Sequence, residues 1–199
     1  SDIFAHASHA GEFMQNIVPV EDDDVSKALA KSFKGLGIDV LTATEVTKVE
    51  NSGSGCKVTL KDAAGEKQIE CDVVLSAAGV VANIENIGLE DVGIITDKGK
   101  ILVDKFYKTN IPGYYAIGDC TPGQALAHVA SAEGIICVEQ IAGHHPQPLD
   151  YGNIPGCTYC SPEIASVGLT ERACKEKGLD VKIGKFPFSA SGKASAAGH

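Results

Sequence analysis

The chain has 199 residues, 44% of them hydrophobic and 22% charged, with a formal net charge of −9. That length admits one large domain or two small ones with a sizeable core, and the acidic balance argues against nucleic acid, which is bound through basic patches that neutralise phosphates. No run approaches the ~20 consecutive apolar residues of a membrane-spanning helix, and Ser1-Asp-Ile-Phe-Ala-His6 lacks the basic start and apolar stretch of a secretory signal, so a soluble chain is expected.

Residues 1–11 show no period and are assigned no element. Asp22, Asp23 and Asp24 then lead an i, i+3, i+4 stripe of Val25, Ala28, Leu29, Phe33 and Leu36, with Lys31 and Lys34 toward the end and Gly37 closing it. This predicts an amphipathic helix whose acidic first turn complements the helix dipole, a simpler explanation of the acids than a metal site. Ile38–Leu41 reads as a buried strand, and Glu45–Glu50 and Lys57–Leu60 alternate as strands exposed on one face. Asn51–Gly55 and Asp62–Gly65 carry hairpin-turn residues. Cys71–Gly79 is a near-continuous apolar run of the kind found in parallel sheets, ending in Gly79. Residues 80–108 read as loops and short strands, with Lys100–Asp104 alternating.

Thr109-Asn-Ile-Pro-Gly-Tyr-Tyr-Ala-Ile-Gly-Asp119 organises the rest. Ile111-Pro112-Gly113 is a turn signal that delivers the chain into the apolar run Tyr114–Ile117, predicted to be a short, fully buried strand. Gly118 and Asp119 emerge where that strand ends, the place where open α/β sheets hold ligands. Thr121-Pro122-Gly123 turns the chain into a helix over Ala125–Ala142, rich in small residues. Its N-terminal N–H groups would point at the spot where Asp119 offers an acceptor for hydroxyl groups. Gly143–Asp150 is a polar, Pro-bearing connector, in which His144 and His145 need no catalytic role. Beyond it come an antiparallel sheet beginning over Thr158–Val167, a Thr170-capped helix to Lys177-Gly178, and the stretch Val181–Phe188.

The seven cysteines, at 56, 71, 120, 137, 157, 160 and 174, form no disulfide framework and suit a reducing compartment. Cys157-Thr-Tyr-Cys160 has redox spacing, yet it lies in a strand-like segment rather than at a helix N-terminus that would lower a thiol pKa. With no second such pair it also makes a poor zinc site. No residue of the sequence is assigned as catalytic or metal-ligating.

Thr109-x-x-Pro-x-x-Tyr-Ala-Ile-Gly-Asp119 followed by Ala125-Leu-Ala-His-x-Ala130 resembles the second flavin motif of the pyridine nucleotide–disulfide oxidoreductases, and most nearly their dihydrolipoamide-oxidising branch. Gly134–Glu139, Tyr159–Gly168 and Gly184–Ala190 extend the resemblance to roughly residues 12–198. It implies an α/β chain with part of a Rossmann-like nicotinamide-binding domain over 1–79, a central flavin-contacting segment over 80–148, and the start of an α+β interface (dimerisation) domain over 149–199. By the same resemblance Asp119, with Gly118 beside it, would accept from the ribityl chain of FAD, the backbone of Ala125, Leu126 and Ala127 would lie near the flavin's pyrimidine edge, and His128 would flank the ring. A helix N-terminus disfavours a charged imidazolium there, and a packed helix histidine is the alternative. Glu12 would hold the adenosine ribose of NAD and disfavour the extra phosphate of NADP, Val46 would lie near the adenine, and Gly79 near the nicotinamide nucleotide. Gly79-Val-Val-Ala lacks the Arg and Pro that the family carries after this Gly, so only the Gly is transferred.

The sequence has no Gly-x-Gly-x-x-Gly, no Cys-x-x-x-x-Cys and no His-Pro-Thr setting with a Glu five residues after the His. The resemblance therefore implies an internal piece of a longer enzyme, inactive and flavin-free on its own. That enzyme would oxidise dihydrolipoamide, pass electrons through a disulfide and FAD to NAD, serve the lipoyl domain of 2-oxoacid dehydrogenase or glycine-cleavage complexes, and work as a homodimer in a bacterial cytoplasm or mitochondrial matrix, without nucleic acid or membrane. A sibling flavin disulfide reductase of the glutathione or mercuric type, and a non-catalytic FAD-binding or assembly module, are the alternatives.

Overall fold

A computed structural model describes residues 9–197. Strand β1 (His9–Gly11) pairs in parallel with β2 (Asp39–Leu41), His9 opposite Asp39, and helix α1 (Asp23–Gly35) is the crossover between them. No element was expected before residue 12. Three residues are too few to show a period of two, and β1 is specified by its partner rather than by its own pattern. Helix α1 buries Leu29 and Ser26 and closes as expected, with Gly37 at φ +78° just past its end.

The acids that begin α1 do more than answer a dipole. Asp22 accepts from the Glu171 N–H at 2.7 Å, Asp23 pairs with Arg172 at 3.1 Å, and Asp24 pairs with Lys185. Buried Glu21 accepts from Ser166 Oγ at 3.0 Å, and Arg172 also donates to the Pro19 carbonyl at 2.7 Å. Together these contacts seat the C-terminal segment on the start of α1.

Strands β3 (Glu45–Asn51), β4 (Cys56–Asp62) and β5 (Gly65–Cys71) form an antiparallel meander. Its turns are set by side chains that mimic backbone acceptors: Asn51 Oδ1 takes the Gly53 N–H and Asp62 Oδ1 the Ala64 N–H, each at 2.8 Å. Val58, Thr59 and Leu60 of the central strand are buried. The third strand therefore lies earlier than the apolar run suggested. Gly65-Glu-Lys-Gln-Ile-Glu-Cys71 is polar, but a two-residue turn pins it to β4, and turn geometry decides register where one edge faces water. Beyond it, 72–84 form no element, and Val73, Leu75, Val80 and Val81 are exposed. A parallel strand needs neighbours for its N–H and C=O groups, and no described strand pairs with this run.

Helix α2 (Leu89–Val92) and the short pair β6 (Thr96–Asp97) and β7 (Lys100–Ile101) lead to the central segment. There the expected buried strand over Tyr114–Ile117 reduces to one antiparallel bridge, Lys108 opposite Tyr115, and Tyr114, Tyr115 and Ile117 are part-exposed. Helix α3 runs Ala127–Ile141, so Ala125 and Leu126 form its extended approach rather than its first turn. After the connector, β8 (Gly156–Thr158) and β9 (Ile164–Ser166) pair antiparallel, and α4 (Glu171–Glu176) is capped as expected by Thr170 Oγ1, which accepts from the Ala173 N–H at 3.2 Å. Val181–Pro187 stays irregular and unpaired among the described strands, and α5 (Gly192–Ala197) ends the described chain. No described helix is long and apolar enough to cross a membrane.

Candidate functional site

The site grows from the turn at Ile111-Pro112-Gly113, where Gly113 takes φ +87° and the Tyr114 N–H returns to the Ile111 carbonyl at 3.2 Å. Buried Thr109 locks it: its backbone N–H donates to the Tyr114 carbonyl at 3.0 Å, and its hydroxyl accepts from the Ile111 N–H at 3.2 Å. The chain then runs past α3 into a single 3₁₀ turn, Gly118–Cys120.

Gly118 is required there twice over. Its φ is +73°, where an L side chain is strained, and a Cβ would come within 3.3 Å of the Ala130 Cβ. On the helix side, a Cβ at Gly134 would lie 3.2 Å from Ile117 Cδ1, so two glycines permit the close approach of turn and helix. Both peptide groups beside Gly118 are held. Its carbonyl accepts from Thr121 N–H at 2.9 Å and Thr121 Oγ1 at 2.8 Å, and its N–H donates to Glu133 Oε2 at 2.6 Å.

Glu133, on α3, is only 1% exposed. Its Oε1 accepts from the Tyr151 hydroxyl at 2.5 Å, and that hydroxyl lies 3.3 Å from the hydroxyl of buried Tyr107. Burial, then the hydrogen bond to Glu133 and that to Tyr107, pushes the Tyr151 phenol far above its ordinary range. Tyr107 is pushed up as well, mainly by burial. Both phenols therefore stay protonated, and Glu133 collects one donor on each oxygen.

Asp119, next in the turn, presents an exposed carboxylate, and its main-chain carbonyl accepts from Lys100 Nζ. The strand before it is not the buried one expected, so the carboxylate stands on an open surface beside α3. No side chain caps α3, whose N-cap is Leu126, leaving the first-turn N–H groups of Ala127 and His128 without an intrahelical acceptor. An exposed acceptor and uncapped donors thus lie on one turn–helix unit, which can hold a ligand carrying hydroxyls and a site of negative charge. The His128 ring is exposed, with Nε2 3.1 Å from the Pro155 carbonyl.

The residues expected at the nicotinamide nucleotide are placed less tightly. Glu12 follows β1 directly, its backbone bonded to the Leu41 carbonyl at 2.9 Å and the Thr44 N–H at 3.1 Å, and its carboxylate accepts from the Met14 N–H at 2.9 Å. Val46 is exposed on β3, two residues past Thr44, so these two are brought to one end of the β1–β2 pair. Gly79 takes φ +100°, which suits Gly alone, but it sits in the unpaired run with nothing within 4 Å of where a Cβ would lie. Sequence reasoning missed Glu133, Tyr107 and Tyr151. The signal for Glu133 was available: it is one of only two acids in α3, beside the glycine that lets Ile117 approach.

Residues 6–134 match the family model described as pyridine nucleotide-disulphide oxidoreductase, and residues 154–199 match that family's dimerisation domain. Dihydrolipoyl dehydrogenase of Rhizobium etli is 46% identical over 94% of this chain and 39% of its own length. The mitochondrial dihydrolipoyl dehydrogenase of Pisum sativum is 43% identical over 93% of the chain and 37% of its own length. Among solved structures, LpdA from Mycobacterium tuberculosis superposes with a TM-score of 0.86 at 27% identity, covering 96% of this chain and 41% of that one. The chain therefore spans about two-fifths of the length of the relatives that it matches.

Proposed function

Because the chain belongs to the pyridine nucleotide-disulphide oxidoreductase family, we propose that it is part of an FAD-dependent dihydrolipoyl dehydrogenase that oxidises dihydrolipoamide and delivers the electrons to NAD. The observation that carries the reading to a site is the turn–helix unit, where Gly118 is clamped on both sides and Asp119 beside it is left exposed. The donor set fits a flavin nucleotide. The Asp119 carboxylate makes no hydrogen bond among the described residues and can accept from ribityl hydroxyls, a charged hydrogen bond worth about 1.5–3 kcal/mol.

Gly118, whose lack of a side chain lets the turn sit against Ala130, would set Asp119 toward the bound chain, and backbone groups of Ala125, Leu126 and Ala127 would lie at the pyrimidine edge, where the uncapped Ala127 N–H stabilises negative charge. His128 would border the ring. What the flavin supplies when bound is two-electron transfer between a dithiol and a nicotinamide. At the other end of the chain Glu12 would accept from the adenosine ribose of NAD, with Val46 and Gly79 lining the nucleotide. Supporting this, Glu12 stands at the C-terminal end of a parallel strand, where open α/β sheets take ligands. The whole protein would act as a homodimer on the lipoyl domains of 2-oxoacid dehydrogenase or glycine-cleavage complexes, in a bacterial cytoplasm or mitochondrial matrix. We divide the chain for this purpose into 1–79, 80–148 and 149–199.

Asp119→Ala in the full-length protein should lose FAD on gel filtration and lose dihydrolipoamide–NAD activity with it. Flavin content equal to the parent after the same column would remove Asp119 from the site.

A further inference from the structure

The cofactor-facing turn is anchored from behind by a buried acid that sequence reasoning did not assign. We propose that Glu133 is a positioning residue: through the Gly118 N–H it fixes the Ile117–Gly118 peptide that leads into Asp119, and through Tyr151 it ties that peptide to the connector that follows α3. This deepens the proposed function and rests on Asp119 meeting FAD.

The geometry allows few other roles. Glu133 is 1% exposed, so it cannot itself touch a ligand on the outer face of the turn. Its two oxygens point in different directions, Oε2 to the Gly118 N–H at 2.6 Å and Oε1 to the Tyr151 hydroxyl at 2.5 Å. Gly118 has no side chain with which to hold itself, and its φ of +73° is one that a free backbone leaves easily. The carboxylate supplies the missing constraint, since charge-assisted hydrogen bonds are short and directional. Tyr151 completes it: the ring lies against Gly123, 3.0 Å from where a Cβ would sit, so the same side chain also braces the loop between the turn and α3. Turn, loop, helix and connector are thus joined at one carboxylate, and the orientation of Asp119 relative to the helix start is set by a residue fourteen positions later in the sequence. A purely structural acid would hold the fold equally with or without flavin. A positioning acid changes what the flavin experiences.

The test uses the full-length holoenzyme with Glu133→Gln, Glu133→Ala, Tyr151→Phe and, in parallel, Asp119→Ala. Gln keeps an acceptor for Gly118 but exchanges the other oxygen for a donor, and Tyr151→Phe removes one hydroxyl while leaving the carboxylate. FAD affinity should fall in the order parent, Tyr151→Phe, Glu133→Gln, Glu133→Ala, with the Gln variant weakened about tenfold and its bound-flavin absorption and fluorescence shifted from those of the parent. Partial recovery by Gln relative to Ala is expected.

Three results would overturn the proposal. In the first, the Gln and Phe variants lower the thermal midpoint of apoprotein and holoprotein alike, with flavin affinity and spectrum unchanged, which would make Glu133 structural. In the second, Asp119→Ala retains FAD, which removes the premise and the proposed function with it. Flavin loss in Asp119→Ala but parent-like retention in Glu133→Gln and Tyr151→Phe sinks the positioning role alone.

Discussion

The turn–helix unit over 109–153 and the apolar run over 72–84 carry two ends of the same proposed electron path, yet they are built in opposite ways. The first is mostly small and polar, and it is tightly held: Gly118 and Glu133 are 15 residues apart, Glu133 and Tyr151 18 apart. The second is the most apolar stretch before residue 110 and has no element at all, with Leu75 90% exposed. Hydrophobicity supplies a reason to be buried but no place to be buried in. A turn braced by local hydrogen bonds carries its partners with it, whereas a parallel strand takes its partners from elsewhere in the sheet.

The comparison predicts an inverted ranking of substitutions. Glu133→Ala strips the acceptor from the Gly118 N–H and the Tyr151 hydroxyl and empties a side-chain site that is almost wholly buried, and should cost about 3 kcal/mol by urea unfolding. Gly118→Ala comes next, at roughly 2 kcal/mol, because it adds a side chain at a positive φ and presses it on Ala130. Gly134→Ala meets only the end of the Ile117 side chain, which can turn away, so about 1 kcal/mol or less is expected. Leu75→Ala, ordinarily the most damaging kind of change in a core, should fall within about 0.5 kcal/mol in this chain. A loss of 2 kcal/mol there would show that the run is packed and would break the contrast. The same substitution in the full-length protein sharpens it: a strand that gains sheet neighbours should lose about 2–5 kcal/mol as a Leu→Ala core change.

The same contrast explains what could be read from sequence. Helix α1, the two hairpin turns, the Thr170 cap and the turn at 111–113 were legible because each is specified within a few residues, by an i, i+4 stripe, an Asn or Asp acceptor, or a positive-φ glycine. Strand β5 was not, since Gly65–Cys71 is polar and is recruited by the geometry of the Ala63-Ala64 turn rather than by its own pattern. Hydrophobicity alone suggests a strand at 71–79 and burial at Tyr114–Ile117, and neither forms among the described residues. Of the site, Gly118, Asp119 and the start of α3 were visible as a motif. The buried carboxylate behind them was hidden because a helix pattern shows which face is apolar and not which polar side chain turns inward to meet a backbone N–H.

The weakest expected effect concerns the contacts between α1 and the C-terminal segment, which the dipole reading of Asp22–Asp24 did not foresee. Lys185 holds the Asp24 carboxyl below its ordinary value of 3.8, through its hydrogen bond first and its charge second, and Asp24 in turn raises the Lys185 ammonium. The signs fix the window. An acid with a lowered folded pKa contributes stability that is present above its unfolded value and lost as pH falls through the folded one, and a base with a raised pKa loses its share only above its ordinary alkaline range. The pair is therefore intact through neutral pH and opens in acid, or in alkali above the Lys185 range. Both partners are exposed, so the effect is small and screened by salt. Parent and Asp24→Asn should differ slightly in urea midpoint at neutral pH and low salt, converge in 1 M salt, where the Debye length is about 3 Å, and converge again in acid once pH falls through the lowered Asp24 value. A difference that persists at both extremes would mean that Asp24 acts by packing or by capping α1, and that charge does not hold the C-terminal segment in place.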